Sequence, residues 1–521
     1  MIRSLLKKLV GVFWLIPGFL LWAAYPPMGE WSDSLFALAP LLWFSRTADP
    51  RSSARRWFMN GFVFWFSTLL WMPAIVKNGG PWPLVVLGWG ALAAYSALFF
   101  GVFGWLVARY WRWAGDRGAT GHFLGILVAE PLLWCGLELV RSRLFGGFAW
   151  NHLGLPLVVH GFGSPAAIGG VYLVSAVVLL VNGTIASIAE RILARDGRWF
   201  RSLDTFVPFA LVFALYQFDG RREPAEDAVR PLGVAMVQRN FPCCFKGPAA
   251  DPYLAYSNLL GRVESLRPDL VVLPESALCE FGDVNSPRAV DFAETVARRL
   301  GPVLAGGTRY GDGETFNSAA LYDGRRIQVY DKVHLVPFGE FIPGDKFFPA
   351  LQRLAPVGSC TPGAGGLVTF GDVPFGVAIC FEDTDSALMR RHAAAGARFL
   401  CFITNDSWFS DSDEALAHAW QAVARAIETG LPVVRTGNSG VTGTIRPDGT
   451  ACWLANAEGS PLLDAEGTMF DRIEVSSPPP RPTAYTLVGD LPLALAFALF
   501  ILAMIVVKYK PNYEQRRTLS L

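Results

Sequence analysis

Three apolar stretches in the C-terminal half of this chain each end in a side chain able to do chemistry. LVVLPES (270–276) delivers Glu275, IQVYDKVHLVPFGE (327–340) carries Lys332 and Glu340, and FGVAICFED (375–383) ends on Cys380, followed by Phe381 and Glu382. A thiol becomes a nucleophile when a base takes its proton, a carboxylate is such a base, and an ammonium holds the charge that develops on a tetrahedral oxygen. Together the three side chains suit acyl transfer through a covalent thioester. Each alone is ordinary. A Cys after a β-like run is usually a small buried hydrophobe, a Glu after a strand caps a helix, and a Lys is a surface charge. His334, with no second His nearby, reads as a packing residue. The weight lies in the joint occurrence, because strand ends of α/β folds are where sites collect. No GxGxxG after a strand, P-loop, CxxC or metal-ligand cluster accompanies them, so no cofactor and no metal are expected.

The elements that must position these residues form an α/β pattern over 228–475. Short apolar runs at 234–238, 270–275, 303–307, 318–323, 375–380, 399–404 and 432–438 alternate with amphipathic stretches such as 287–300 and 413–429. A Pro-rich stretch, 477–483, reads as a stiff tether to a last apolar segment. The chain thus divides into 1–218, 228–475 and 476–521.

The first division is membrane-like. The 521 residues are 52% hydrophobic and 17% charged, with a net charge of +1, a balance that points to a bilayer and away from nucleic acid. Apolar stretches at 8–25, 33–46, 58–76, 83–108, 122–140, 163–187, 204–218 and 489–508 predict eight spans. Arg and Lys recur after every second stretch, as at Arg46, Arg55, Arg109, Arg112, Arg191 and Lys508. The positive-inside rule then places both termini in the cytoplasm and 219–488 outside. Of the eight cysteines, Cys243, Cys244, Cys279 and Cys360 would be available for a disulfide in that compartment, and the sequence selects no pairing.

The order P-E, then KVHLVPFGEFIP (332–343), then a strand ending C-x-E resembles the nitrilase (carbon–nitrogen hydrolase) superfamily. With the apolar spans, GFAWNHLG (147–154), VQRNFP (237–242), TNDSWF (404–409) and RAIETGLPVVRTGNSGVT (425–442), nearly the whole chain is similar to the apolipoprotein N-acyltransferase family. That resemblance implies a polytopic α-helical membrane bundle of the bacterial inner membrane carrying an extramembrane αββα sandwich. It implies Cys380 as nucleophile, Glu275 as general base and Lys332 as oxyanion holder, with Glu340 and Glu382 as supporting acids and the N–H of Phe381 in the oxyanion hole. The family usually has Tyr where this chain has Phe381. It also implies an acyl donor that is a phospholipid such as phosphatidylethanolamine, and acceptors that are diacylglyceryl-modified lipoproteins. Lys332 and a helix expected over 385–396 would favour the thiolate. The apolar segment 338–354, with Phe341, Ile342, Phe347 and Phe348, reads as a lid at the membrane surface, and Trp408 as a second arm. A membrane-anchored amide hydrolase with the same three residues is the alternative.

Overall fold

The computed structural model describes residues 13–195, 203–217, 229–241, 251–311, 313–344, 347–348, 359–409 and 412–506. Helices α1 (Ile16–Ala23), α2 (Ala39–Thr47), α3 (Pro50–Thr68), α4 (Trp82–Ala114), α5 (Glu130–Arg141), α6 (Ala166–Leu193) and α7 (Leu203–Gln217) make up the N-terminal bundle. Pro50 starts α3, and the Asp49 carboxylate caps it by accepting from the N–H groups of Arg51 and Ser52. α4 runs 33 residues, about 50 Å at the helical rise. α3 and α4 lie in close contact because small residues face large ones: a Cβ on Gly104 would come within 2.3 Å of the Trp57 ring.

Eight spans were expected. Among the described residues, four helices have the length and apolarity to cross a bilayer: 50–78, 82–114, 118–141 and 166–193. α7 and the last helix, of 15 and 16 residues, are shorter. The expected span at 33–46 is instead a 3₁₀ turn, Trp31–Leu35, followed by α2, which begins beside Pro40 and has only nine residues. Of the first expected span, 8–12 lies outside the described residues and the rest contributes the eight-residue α1. Apolarity alone did not distinguish a long helix from a short one that starts at a proline.

Residues 229–476 form two six-stranded sheets, ordered β12-β1-β2-β3-β4-β5 and β11-β10-β9-β8-β7-β6. The first contains β1 (Val229–Gln238), β2 (Leu270–Val272), β3 (Val303–Gly311), β4 (Glu314–Tyr322) and β5 (Ile327–Asp331). The second contains β6 (Leu367–Phe370), β7 (Val373–Ile379), β8 (Leu400–Thr404), β9 (Val433–Gly437), β10 (Gly443–Ile445) and β11 (Ala451–Trp453). β12 (Gly467–Ser476) returns to pair antiparallel with β1 over ten residues. The strands β1-β2-β3 and β7-β8-β9 run parallel at the centres.

Side-chain alternation assigns the layers. Val234, Met236, Leu304, Val377, Ile379, Cys401 and Ile403 meet between the sheets. Ala235, Val237 and Val271 face outward onto α8 (Pro252–Gly261) and α9 (Pro287–Leu300). From the second sheet, Ala378, Leu400, Phe402 and Val433 face α10 (Ser386–Ala394) and α11 (Glu414–Thr429), and this core is continuous with that of the helical bundle. The result is an αββα sandwich whose second helical layer is shared with the membrane part. α12 (Ala484–Val488) and α13 (Leu491–Val506) close the chain against the bundle: Phe497 lies over Gly136 of α5.

Candidate active site

The reactive side chains leave the carboxyl ends of the central parallel strands. After β2 the chain runs through Leu273 and Pro274 to Glu275, where Gly306 of β3 makes the room: a Cβ there would lie 2.6 Å from the Glu275 Cα. β7 ends at Ile379, and Cys380 sits on a sharp elbow with φ +53°, a left-handed conformation that costs a non-glycine residue about 1 kcal/mol or more. Lys332 follows β5 and is 1% exposed.

Hydrogen bonds fix the group. Lys332 Nζ donates to Glu340 Oε1 at 2.9 Å. Asn317 Nδ2, from β4, donates to Glu275 Oε1 at 2.7 Å and to Glu340 Oε1 at 2.6 Å. The other Glu275 oxygen accepts from the Asn405 N–H at 2.8 Å, and Glu340 Oε2 accepts from the Val336 N–H at 2.8 Å. Glu382 is fully buried and works as a bracket. It accepts from the N–H groups of Ile379 (2.8 Å), Val333 (2.7 Å) and His334 (3.0 Å) and from the Tyr330 hydroxyl, tying the Lys332 loop to the cysteine elbow. Asn317, Asn405 and Tyr330 were not singled out from the sequence. Asn317 stands at the polar start of the strand segment TFNSAALY, where nothing in the sequence sets it apart.

The electrostatics follow from burial. It raises the carboxyl pKa of Glu275, against the pull of Lys332, and that of Glu382 to about 7. Burial opposes the charge on Lys332, yet Glu340, Cys380 and Glu275 together hold its pKa above the ordinary lysine value. The Cys380 thiol is pushed well up by burial and by Glu275, with Lys332 pulling it down only in part. Burial thus works against the thiolate that Lys332 favours. The helix over 386–394 does not help, because its N-terminus is capped by the Asp385 carboxylate, which accepts from Ala387 and Leu388.

A loop from the bundle lies against the elbow. Trp150 stacks on Phe381 with centroids 6.0 Å apart and planes 12° from parallel, and its indole N–H donates to Glu414. His334 joins Asp385 Oδ2 (3.3 Å) to the Gly146 carbonyl and so bridges sandwich and bundle. Phe409 packs edge-on to Trp71 at 4.6 Å. Of the residues read as a lid, Phe347 and Phe348 are exposed at 84% and 68%, Phe341 and Trp408 are half-buried, and Ile342 is buried. The rest of that segment, 345–346 and 349–354, lies outside the described residues, as do Cys243 and Cys244. Cys360 carries a free thiol.

Two family models match in series: the apolipoprotein N-acyltransferase N-terminal domain over residues 17–184 and carbon-nitrogen hydrolase over 234–466. An apolipoprotein N-acyltransferase of Geobacter metallireducens is 32% identical over 451 residues, covering 82% of this chain and 84% of the relative. The chain belongs to the apolipoprotein N-acyltransferase family. Another member, from Vibrio vulnificus, is 26% identical over 502 residues, with 92% and 94% covered. Among solved structures, an amidase from Nesterenkonia sp. aligns with 50% of this chain and 94% of its own at 17% identity and a TM-score of 0.36. The two matched regions are parts of one polypeptide. The bundle's GFAWNHLG segment and the sandwich's cysteine elbow meet at the Trp150–Phe381 stack.

Proposed function

We propose that this N-acyltransferase moves a fatty acyl chain from a membrane phospholipid to the α-amine of a diacylglyceryl-cysteine at a lipoprotein N-terminus, through a thioester on Cys380. Glu275 takes the thiol proton and sulfur attacks the donor's ester carbonyl. Lys332 and the N–H of Phe381 hold the oxyanion, a contribution of about 3 kcal/mol per donor. The tetrahedral intermediate collapses with loss of the lysophospholipid alkoxide, which takes the proton back from Glu275. In the second half Glu275 removes a proton from the incoming amine. Nitrogen attacks the thioester, and the departing thiolate recovers that proton. The acyl group rests on sulfur between the halves, so the kinetics are ping-pong. Burial raises the Glu275 pKa, which suits a group that both takes and returns a proton.

The observation that carries this reading is the contact of the bundle's Trp150 with Phe381, the residue next to the nucleophile. It supports a thiol held against the membrane part, within reach of lipid substrates that stay in the bilayer. Arg and Lys in alternate loops support a cytoplasmic placement of both termini and a periplasmic sandwich in the inner membrane. The exposed Phe347 and Phe348 suit a lid that enters the headgroup region and admits acyl chains.

Intact-mass analysis tests the proposal. Wild type and Cys380→Ala are incubated with a defined phosphatidylethanolamine. A gain of one acyl mass, labile to hydroxylamine and absent from the variant, is expected. Equal masses before and after incubation for wild type, with release of ammonia from lipid-free amides, would instead identify an amide hydrolase.

A further inference from the structure

A buried polar connection between bundle and sandwich runs through two residues the mechanism above does not use. α6 is broken near its start, at Gly169 (φ −133°, ψ 22°) and Gly170 (φ 69°, ψ −178°). The break turns the N–H of Val171 away from the helix ladder, and it donates to Glu428 Oε1 at 2.8 Å. Glu428 sits on α11 with Arg425 one turn before it. Arg425 Nη2 donates to the same oxygen at 2.9 Å, and Nε lies 2.8 Å from Oε2. The remaining arm of the guanidinium reaches the catalytic loop, where Nη1 donates to the Thr384 carbonyl at 2.9 Å. Thr384 closes the short 3₁₀ turn Cys380–Thr384 that holds the strained nucleophile. Both charged side chains are completely buried.

The joint is anchored on its other side as well. The Thr483 hydroxyl donates to the Glu428 carbonyl while capping α12. The Tyr485 ring of α12 lies against Gly170, so closely that a Cβ there would be 2.7 Å from the ring. Only glycine takes up this backbone conformation and this contact together. A buried ion pair is weak evidence for stability, since desolvation offsets its attraction. What this pair supplies is direction: one planar fork fixes the elbow relative to the helix break.

We infer that Arg425 and Glu428 are positioning residues, a rigid joint through which the break in α6 sets the elbow that carries Cys380. This rests on Cys380 as the acylated thiol. A nucleophile displaced by about 1 Å typically loses about 100-fold in rate, so loosening the joint should lower kcat and leave the donor's KM unchanged.

The test uses full-length protein in detergent and three variants: Glu428→Gln, Arg425→Lys and Gly170→Ala. Two rates are read: acylation of Cys380 by phosphatidylethanolamine, and alkylation of Cys380 by iodoacetamide, quantified by peptide mapping. Both are expected to fall about 10- to 100-fold in each variant that keeps a wild-type melting transition, with KM unchanged. Gly170→Ala combined with Glu428→Gln should be no slower than the slower single variant, because both act on one joint. Should Gly170→Ala fail to fold, Glu428→Gln and Arg425→Lys carry the test. Wild-type rates in a folded Glu428→Gln, or a double variant whose losses multiply, would overturn the inference. The alkylation rate separates this from the donor reading. If wild type is never acylated yet its Cys380 alkylates and the variants alkylate slowly, the joint stands and the lipid donor is wrong.

Discussion

Replacing Lys332 by Met keeps the shape of the side chain and removes its charge. Lys332 is buried, bonded to Glu340 at 2.9 Å, and stabilises the charged forms of Glu275, Glu382 and Cys380. The variant loses one oxyanion donor, worth about 3–4 kcal/mol or 10²- to 10³-fold in acylation rate. It also loses the cation that lowers the thiol pKa, which adds to the deficit. Folding suffers too, since removing one member of a buried pair costs about 3–5 kcal/mol while the partners stay charged. Here the carboxyls have an escape. Without Lys332 the folded-state pKa values of Glu275 and Glu382 rise further above their unfolded values. The folded form then binds protons more readily than the unfolded one, and the stability deficit shrinks as pH falls. The assay is timed intact-mass acylation at pH 7, with melting temperatures at pH 8 and pH 5.5. Acylation within tenfold of wild type, or an equal melting deficit at both pH values, would refute this account of the site.

Other perturbations probe its surroundings. Asn317→Leu removes a donor from both Glu275 and Glu340. Because that bond lowers the Glu275 pKa, the acidic limb of the pH–rate profile should move to higher pH, with about a tenfold loss at neutral pH. His418 lies between Asp383 (3.0 Å) and Asp406 (2.8 Å), and these partners raise its pKa to about 9 against the opposing effect of burial. Its stabilisation, roughly 3 kcal/mol, is fully present below the unfolded histidine value of about 6.5 and is lost as pH rises through 9. Chemical denaturation from pH 6 to pH 10 should show that decline in wild type, and a flatter profile in His418→Phe. Phe347→Ser with Phe348→Ser removes two exposed rings, so the melting temperature should hold within about 2 °C while the KM for vesicle-borne donor rises several-fold. An unchanged KM would remove the lid from the proposal.

That Glu275, Lys332, Glu340 and Cys380 lie together was legible because each belongs to an apolar run, and strand ends gather at one edge of a sheet. Helices over 287–300 and 414–429 were legible from their one-sided apolar pattern. Other parts were not, for identifiable reasons. Asn317 acts from within a strand, where a polar residue reads as solvent-facing. Glu382 reads as a supporting acid, but that four donors from 330–334 and Ile379 converge on it depends on the fold. The burial that opposes a thiolate at Cys380 was not legible, because a lysine and a helix are visible in a sequence while desolvation is not. The break in α6 hid inside an expected span, since Gly169–Gly170 raises no alarm in an apolar stretch. β12 escaped notice because its outward residues are charged and its inward ones few.

That last strand has a consequence for how the protein is made. β12 is the outer neighbour of β1, pairing residues 229–238 with 467–476, so more than two hundred residues are synthesised between the two partners. Until 476 emerges, β1 presents an open edge of N–H and C=O groups, a template for wrong partners. Only a short stretch of chain then remains before α13 packs on α5. Completion of the sandwich and insertion of the last apolar helix are therefore nearly simultaneous events in biogenesis. A ribosome stalled anywhere before codon 467 leaves a membrane-inserted protein with an unfinished, aggregation-prone enzyme attached.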